Sequence, residues 1–287
     1  MIWQSPSTNV YENIALETHL FKTKAIKGVL FWANTSSVIM GRNQNPWNET
    51  HMEKLLENGG LLSRRFSGGG TVYHDLGNLN ISFFDNDSKS NHLERIIRVF
   101  DGLGVPVSAG SRGELMCLGK KISGSAYYMY KGKVLHHLTL LFNADLSRLW
   151  DFLKLEPLPL DTKAVDSVRQ PVGNIEELFP HVNQHQFIRA FSQDYGVEPL
   201  LTPEPILQEA KELYLGQLKS WSWIFGESPD FTIGFMYNQQ PFKVYVKKGH
   251  VEKIDLKDDL KEYLGLEAYL NQPFNPNPFM SIANQTM

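Results

Sequence analysis

Apolar positions along this chain recur at two periods, and the switches between them mark out the elements. From Asn9, a residue suited to capping a helix, Tyr11, Ile14, Ala15 and Leu16 fall at helical spacing and predict a helix over 9–22. Short β-branched and aromatic runs at 29–32 and 37–40 predict strands. A polar helix is expected over 48–58, stopped by Gly59-Gly60. Segments 61–66, 71–74 and 79–84 read as strands broken by glycine. Helix returns over 93–103, with Ile96, Ile97, Phe100 and Leu103 on one face.

A second strand group covers 115–142, interrupted by the turn Lys131-Gly132-Lys133. Helical patterns follow at 146–153, 184–195 and 203–218, with Pro157 and Pro159 marking a loop. After Trp221 to Gly226 the texture changes: 231–237, 242–246 and 251–256 predict a small antiparallel sheet, and 260–270 a helix upon it. The Asn- and Pro-rich tail from Gln272 is expected to be poorly ordered. A boundary near Ser228 and Pro229 divides a large domain, 1–227, from a small accessory domain, 228–287. Strands and helices mix without regular βαβ alternation, so the fold class is α+β rather than a doubly wound sheet.

Composition narrows the setting. Hydrophobic residues at 42% and charged residues at 21% are ordinary for a soluble globular protein. The net charge of −3, with both signs mixed along the chain, argues against a broad nucleic-acid footprint. No window approaches the run of about 20 apolar residues that spans a membrane. The opening residues lack the basic and apolar regions of a secretory signal. Cys117, the single cysteine, cannot form an internal disulfide, which suits a reducing compartment and leads us to expect a cytoplasmic protein.

The candidate chemistry lies in two segments. The first is Arg64-Arg65-Phe66-Ser67-Gly68-Gly69-Gly70-Thr71-Val72-Tyr73-His74-Asp75-Leu76-Gly77-Asn78. Three consecutive glycines are tolerated where the backbone turns sharply or where a ligand touches the main chain. The two arginines before them are suited to clamping a phosphate or carboxylate in bidentate fashion. No lysine follows to make a P-loop, and the run after Gly70 favours a strand, which excludes the dinucleotide fingerprint. A plain hairpin with Arg64 and Arg65 in solvent accounts for a bare glycine triplet; the flanking residues favour a site. His74 and Asp75, as strand neighbours, point to opposite faces and read as structural. No His/Cys cluster has the spacing of metal ligands, so no protein-held metal is expected.

The second segment is Lys120-Lys121-Ile122-Ser123-Gly124-Ser125-Ala126, where a lysine among small residues at a strand start can reach into a pocket. His136-His137 and the run Thr139 to Leu146 follow. Together with Gly41-Arg42-Asn43-Gln44-Asn45-Pro46-Trp47, Ser167-Val168-Arg169 and Trp221-Ser222-Trp223-Ile224-Phe225-Gly226, these segments resemble the lipoate–protein ligase A family, within the biotin/lipoate ligase fold. The similarity runs in consistent order from the N-terminus to about residue 256.

The resemblance implies a catalytic domain of mixed sheet flanked by helices and a small α/β accessory domain. It implies two half-reactions: lipoate and ATP give lipoyl-AMP and pyrophosphate, and the lipoyl group then passes to a lysine of an acceptor. ATP, with Mg²⁺ carried by the nucleotide, and lipoate would be the small molecules. Lipoyl domains of 2-oxoacid dehydrogenase E2 subunits and the glycine cleavage H protein would be the partners. At matched positions, Arg65, Gly70, Thr71, Val72 and Tyr73 would hold ATP. Gly69, Gly70, Asn78 and His137 would shape the lipoate pocket, and Lys121 would touch both substrates as the catalytic residue. The chain departs from the family pattern at Ser111-Arg112-Gly113-Glu114, where Gly-Arg-Asn-Asp is usual. It also has Tyr128 where some relatives carry arginine, Leu138 in place of a glycine, and a short C-terminal domain. Other readings keep the fold: a lipoyltransferase using preformed lipoyl-AMP, an octanoyl or lipoyl amidotransferase, a biotin ligase, or a non-catalytic cofactor-binding relative. The amidotransferase branches use a cysteine after the lysine motif, whereas Cys117 precedes Lys121 in an apolar run.

Overall fold

The strand Asn78–Asp85 organises the larger part of the molecule, because it is buried along nearly its whole length between two apolar cores. Leu79, Ile81 and Phe83 point into one core with Ile96, Phe100, Leu138 and Phe187. The alternate positions, Asn78, Asn80 and Ser82, are polar and equally buried on the opposite face, where Phe84 joins the second core. Buried polar groups in a row need partners or a ligand, so this face is where a site belongs.

The computed structural model describes residues 1–24, 27–86, 91–154, 156, 158–168 and 170–284; Pro157 and Arg169 lie outside them. The main sheet has six strands in the order Ser125–Tyr130, Lys133–Leu141, Asn78–Asp85, Gly28–Trp32, Ile2–Gln4 and Leu200–Leu201. The first four pair antiparallel and the last two join in parallel. Helices Val10–Thr18 and Glu204–Lys219 cover one core, and His92–Gly102 and Gln184–Tyr195 the other. Two three-stranded sheets flank the site: Leu61–Arg64, Ser37–Met40 and Val72–His74, and Val107–Ala109, Leu115–Cys117 and Lys120–Ser123. Mixed sheets with helices packed outside are the expected α+β class.

Asn9 caps the first helix by accepting from Tyr11 and Glu12 N–H, and a π-helical turn, His19–Thr23, extends it. The single polar helix expected over 48–58 is instead two helices, Pro46–Glu49 and Met52–Glu57. Thr50 between them is extended and bridges to Leu153, so tertiary pairing overrides local propensity. Among the described residues, no helix is long and apolar enough to cross a membrane.

The C-terminal sheet has four strands, Leu160–Thr162, Phe231–Tyr237, Gln240–Lys247 and His250–Asp255. Its first strand precedes residue 228 in the chain, and Trp47 enters its core beside Phe231 and Phe274. The helix expected over 260–270 divides at Gly265, whose φ of 62° belongs to the left-handed region. The tail corrects its expectation. Asn271 and Gln272 hydrogen-bond Val251, Phe274 N–H donates to Gly249, and Pro276–Asn284 is helical. Phe274 and Phe279, 3% and 0% exposed, fill the sheet's open face. Polar composition suggested disorder, but two buried aromatic rings outweigh it. We therefore expect Phe279→Ala to lower the unfolding free energy by about 3 kcal/mol, measured by urea denaturation. A loss below about 1 kcal/mol would show that the tail is not part of this core.

Candidate active site

Strand alternation sends the adjacent arginines to opposite destinations. Arg64 is fully buried and faces the join with the C-terminal sheet. Its Nη1 donates to the carbonyls of Gly41, Arg42 and Gln44, its Nε to those of Trp223 and Ile224, and its Nη2 to Ile224 O and Ser228 Oγ. Arg64 therefore does not clamp a ligand beside Arg65, as the paired arginines suggested; it fastens two loops together. Arg65 turns inward, 8% exposed, and braces the glycine loop. It donates to Ser67 Oγ at 3.0 Å, Ile39 O at 3.1 Å, Gly68 O at 2.7 Å and Gly70 O at 2.8 Å. Burial lowers both guanidinium pKa values to about 10, which leaves them charged at neutral pH.

The glycine loop is held by contacts that only glycine allows. A Cβ on Gly41 would lie 2.0 Å from Gly69 O, and Gly69 itself has a φ of 87°. Ser167 clasps the loop from outside, its Oγ accepting from Thr71 N–H and Gln44 Nε2, each at 2.9 Å, and donating to Glu49. The roles of Ser167, Gln44 and Glu49 escaped the sequence reading, because their partners are far apart along the chain.

The buried polar face of the central strand opens into a cavity of about 350 Å³. Ile14, Trp32, Ile39 and Leu138 supply apolar wall. A smaller chamber of about 110 Å³ adjoins it and shares Thr71, Val72, Lys121 and Ser167. Arg65, Gly69, Gly70 and His137 line the larger chamber; Thr71, Val72 and Lys121 line both; Tyr73 and Asn78 line the smaller. Apart from Arg64, the residues expected to hold ATP or lipoate thus meet at one double cavity, with Asn78 in a different chamber from Gly69 and His137.

Lys121 reaches the junction because its strand is irregular. The ladder shifts register opposite Leu115 and Met116, and such a bulge re-aims side chains. Its main chain is pinned, with N–H donating to Pro171 O at 2.9 Å and C=O accepting from Gly173 N–H at 3.1 Å. Burial pushes the ammonium pKa down, nearby Glu114 opposes that, and Arg112 adds to it.

A buried polar chain closes the inner end of the site. A carboxylate only accepts, so His137 Nδ1 donates to Glu17 Oε1 at 2.8 Å, which leaves Nε2 to accept from Ser67 Oγ at 2.7 Å. Ser82 Oγ also donates to Glu17 Oε1, at 2.5 Å, and Trp32 Nε1 donates to Ser82 at 2.8 Å. Glu17 was missed, although a carboxylate one turn after Asn13 on the otherwise apolar face of the first helix was a visible signal.

His74 and Asp75 behave as structural residues. Asp75 accepts from Gly77 N–H at 2.9 Å and Asp145 N–H at 2.7 Å. His74 packs against Asn34 Nδ2 at 3.1 Å, and burial, then Arg65 and His137, lowers its pKa to about 3. Cys117 is buried and its thiol pKa is raised by desolvation, the opposite of an activated nucleophile. Among the described residues, no group of three or more His, Cys, Asp or Glu side chains is placed to hold a metal ion.

The site is thus a braced glycine loop and a half-buried lysine set beside a chamber with apolar walls, carried on a mixed sheet. Residues 9–196 match the lipoyl protein ligase A/B catalytic domain, and the chain belongs to that family. A lipoate–protein ligase A of Psychrobacter cryohalolentis is 36% identical over 249 residues, covering 80% of this chain and 74% of that protein. A crystal structure of lipoate–protein ligase A bound with ATP superposes with a TM-score of 0.60 at 26% identity, covering 74% of this chain and 92% of that one. LipL1 of P. falciparum in complex with lipoate shares the fold, with a TM-score of 0.67 at 22% identity over 100% of this chain and 94% of its own.

His74 and His136, both with pKa values lowered to about 3, also make a prediction about acid. Each is neutral in the fold, whereas in the unfolded chain it binds a proton below about pH 6.5. Each therefore contributes stability that is complete above pH 6.5 and lost as pH falls toward 3, about 2 kcal/mol of it by pH 5. Urea denaturation of His74→Gln from pH 7 to pH 5 should show a shallower loss than the parent by roughly that amount. Equal slopes would mean that His74 is protonated in the fold.

Proposed function

We propose that this chain is an ATP-dependent lipoate–protein ligase that forms lipoyl-AMP and transfers the lipoyl group to a lysine of an acceptor protein. The observation that carries this reading is the position of Lys121 at the junction of an apolar chamber and a second, smaller one. The larger chamber suits an aliphatic chain, with its carboxylate directed toward Lys121. The smaller chamber suits the nucleoside, which moves Asn78 from the lipoate pocket where it was expected: Asn78 Oδ1 and Ser123 Oγ are buried there without partners among the described residues and can take up hydrogen bonds from a base.

The barrier to the first step is the meeting of two anions, the carboxylate and the α-phosphate. Preorganised positive charge lowers it, because nothing has to reorient as the transition state forms. Lys121 provides a mobile ammonium within reach of both. Arg65 contributes its charge and the shape of the glycine loop rather than a free guanidinium fork, because the Gly68 and Gly70 carbonyls occupy its Nη2. Gly69 and Gly70 bring bare main chain close to the ligand, and Thr71, Val72 and Tyr73 continue the wall. His137, held by Glu17, fixes the inner end of the lipoyl chamber. Mg²⁺ arrives with the triphosphate and needs no cage of protein ligands.

The acceptors that fit this reading are lipoyl domains of 2-oxoacid dehydrogenase E2 subunits and the glycine cleavage H protein. A cytoplasmic setting fits the lone, buried free thiol. The same thiol disfavours an amidotransferase, which would need an exposed thiolate.

Lipoate-dependent ATP–pyrophosphate exchange followed by transfer to a purified lipoyl domain tests the reading as a whole. Lys121→Ala should reduce the exchange by at least about 100-fold without a large change in the unfolding midpoint. Near-normal exchange in that variant would refute the role given to Lys121.

A further inference from the structure

One cation at the cavity has no role in the proposal above. Arg112 lines the larger chamber and is exposed. Only its main-chain N–H is engaged, donating to Glu114 Oε2 at 2.8 Å; among the described residues its guanidinium meets no carboxylate at ion-pair distance. Arg64 and Arg65 differ in this respect, because protein acceptors surround their guanidinium groups. Among the described residues lining this cavity, Arg112 is thus the guanidinium whose fork is open to a ligand.

The turn that carries it is fixed. Gly110 N–H donates to Glu114 O at 2.7 Å, Ser125 Oγ to Gly113 O at 2.9 Å, and Gln170 Nε2 to Glu114 Oε1 at 3.3 Å. Gly113 takes a φ of 79°, which permits the tight reversal. Glu114, only 7% exposed, points back under the turn, so the turn is anchored while the Arg112 side chain projects. The cations lining the chamber therefore differ in depth: Arg65 is buried, Lys121 half-buried, and Arg112, close enough to Lys121 to oppose its charge, exposed.

We propose that Arg112 receives the β- and γ-phosphates of ATP and stabilises pyrophosphate as it leaves; the inference rests on the ligase reading. In the first half-reaction a lipoate oxygen forms a bond to the α-phosphorus. The bond from that phosphorus to the bridging oxygen breaks, and its electron pair departs with pyrophosphate; no proton moves. Pyrophosphate has to escape to solvent, so the triphosphate runs outward from half-buried Lys121 to exposed Arg112. There the leaving oxygens gain charge, and a planar fork can meet them with two hydrogen bonds. The second half-reaction involves no pyrophosphate, so Arg112 acts in adenylation alone. A group at the α-phosphate, or one that merely supports the fold, would affect both steps.

The test uses the full chain with ATP, Mg²⁺ and lipoate, and separately with preformed lipoyl-AMP and a lipoyl domain. Arg112→Gln should reduce lipoate-dependent ATP–pyrophosphate exchange by about 10- to 100-fold and raise the KM for pyrophosphate, while transfer from preformed lipoyl-AMP stays within about twofold of the parent. Arg112→Lys should recover part of the exchange, since it keeps the charge but loses the fork. Native exchange in Arg112→Gln, or equal loss of exchange and transfer, overturns the inference and leaves the ligase reading standing. A parent chain that transfers from lipoyl-AMP but shows no exchange overturns the ligase reading, and this inference with it.

Discussion

Two buried guanidinium groups on consecutive residues hold this molecule in its working shape. Loops rich in glycine expose main-chain carbonyls that no sheet partner can take up, and a buried carbonyl without a donor is costly. A guanidinium carries five donors in a rigid fork, enough to satisfy several such carbonyls at once. Arg64 gathers those of Gly41, Arg42 and Gln44 on one side and of Trp223 and Ile224 on the other, so the loop before the small helix and the approach to the C-terminal sheet become one body. Arg65 does the same for Gly68, Gly70 and Ile39. Lysine could not substitute at either place, because a point charge with three donors cannot reach carbonyls spread across a plane.

The chamber beside Arg65 follows from an alternation within one strand. Asn78, Asn80 and Ser82 on Asn78–Asp85 stand beside Leu141, Thr139 and His137 on Lys133–Leu141, each opposite its register partner. The intervening residues, Leu79, Ile81 and Phe83 with Leu138 and Leu140, build the core behind them. A single pair of strands thus anchors the hydrophobic core and furnishes a polar floor, and neither can move without the other. That coupling explains why the polar chain through Glu17, His137 and Ser67 sits so far inside the molecule.

Much of this was legible along the chain, and the parts that were not share a cause. The helix from Asn9, the strands at 37–40 and 79–84 and the helix at 184–195 follow from periodicity and caps, which are local. The glycine loop and Lys121 stood out because their residue types are expensive or unusual where they occur. Long-range pairing is what hid the remainder. Thr50 breaks a helix because Leu153 pairs with it, and the tail is ordered because Phe274 and Phe279 find an aromatic core that includes Trp47. The divergent fates of Arg64 and Arg65 depend on which face of a strand meets the cavity, and alternation alone does not say which.

The cations lining the cavity also have to be stable when no anion is bound, and the arrangement of carboxylates answers that. Arg112 works against the charge on Lys121, and burial raises the cost for Lys121 and Arg65, with desolvation the leading influence on both. Glu17 counters it for Arg65 and Glu114 for Lys121. Neither carboxylate forms a direct ion pair with its cation; Glu17 is bonded to His137 and Ser82, and Glu114 to its own turn and Gln170. Held at that remove, they favour the charged forms through space without occupying the donors of Lys121. Glu114 thus opposes the effect of desolvation on the Lys121 ammonium while the ammonium's donors stay open, which suits a site for two mutually repelling anions.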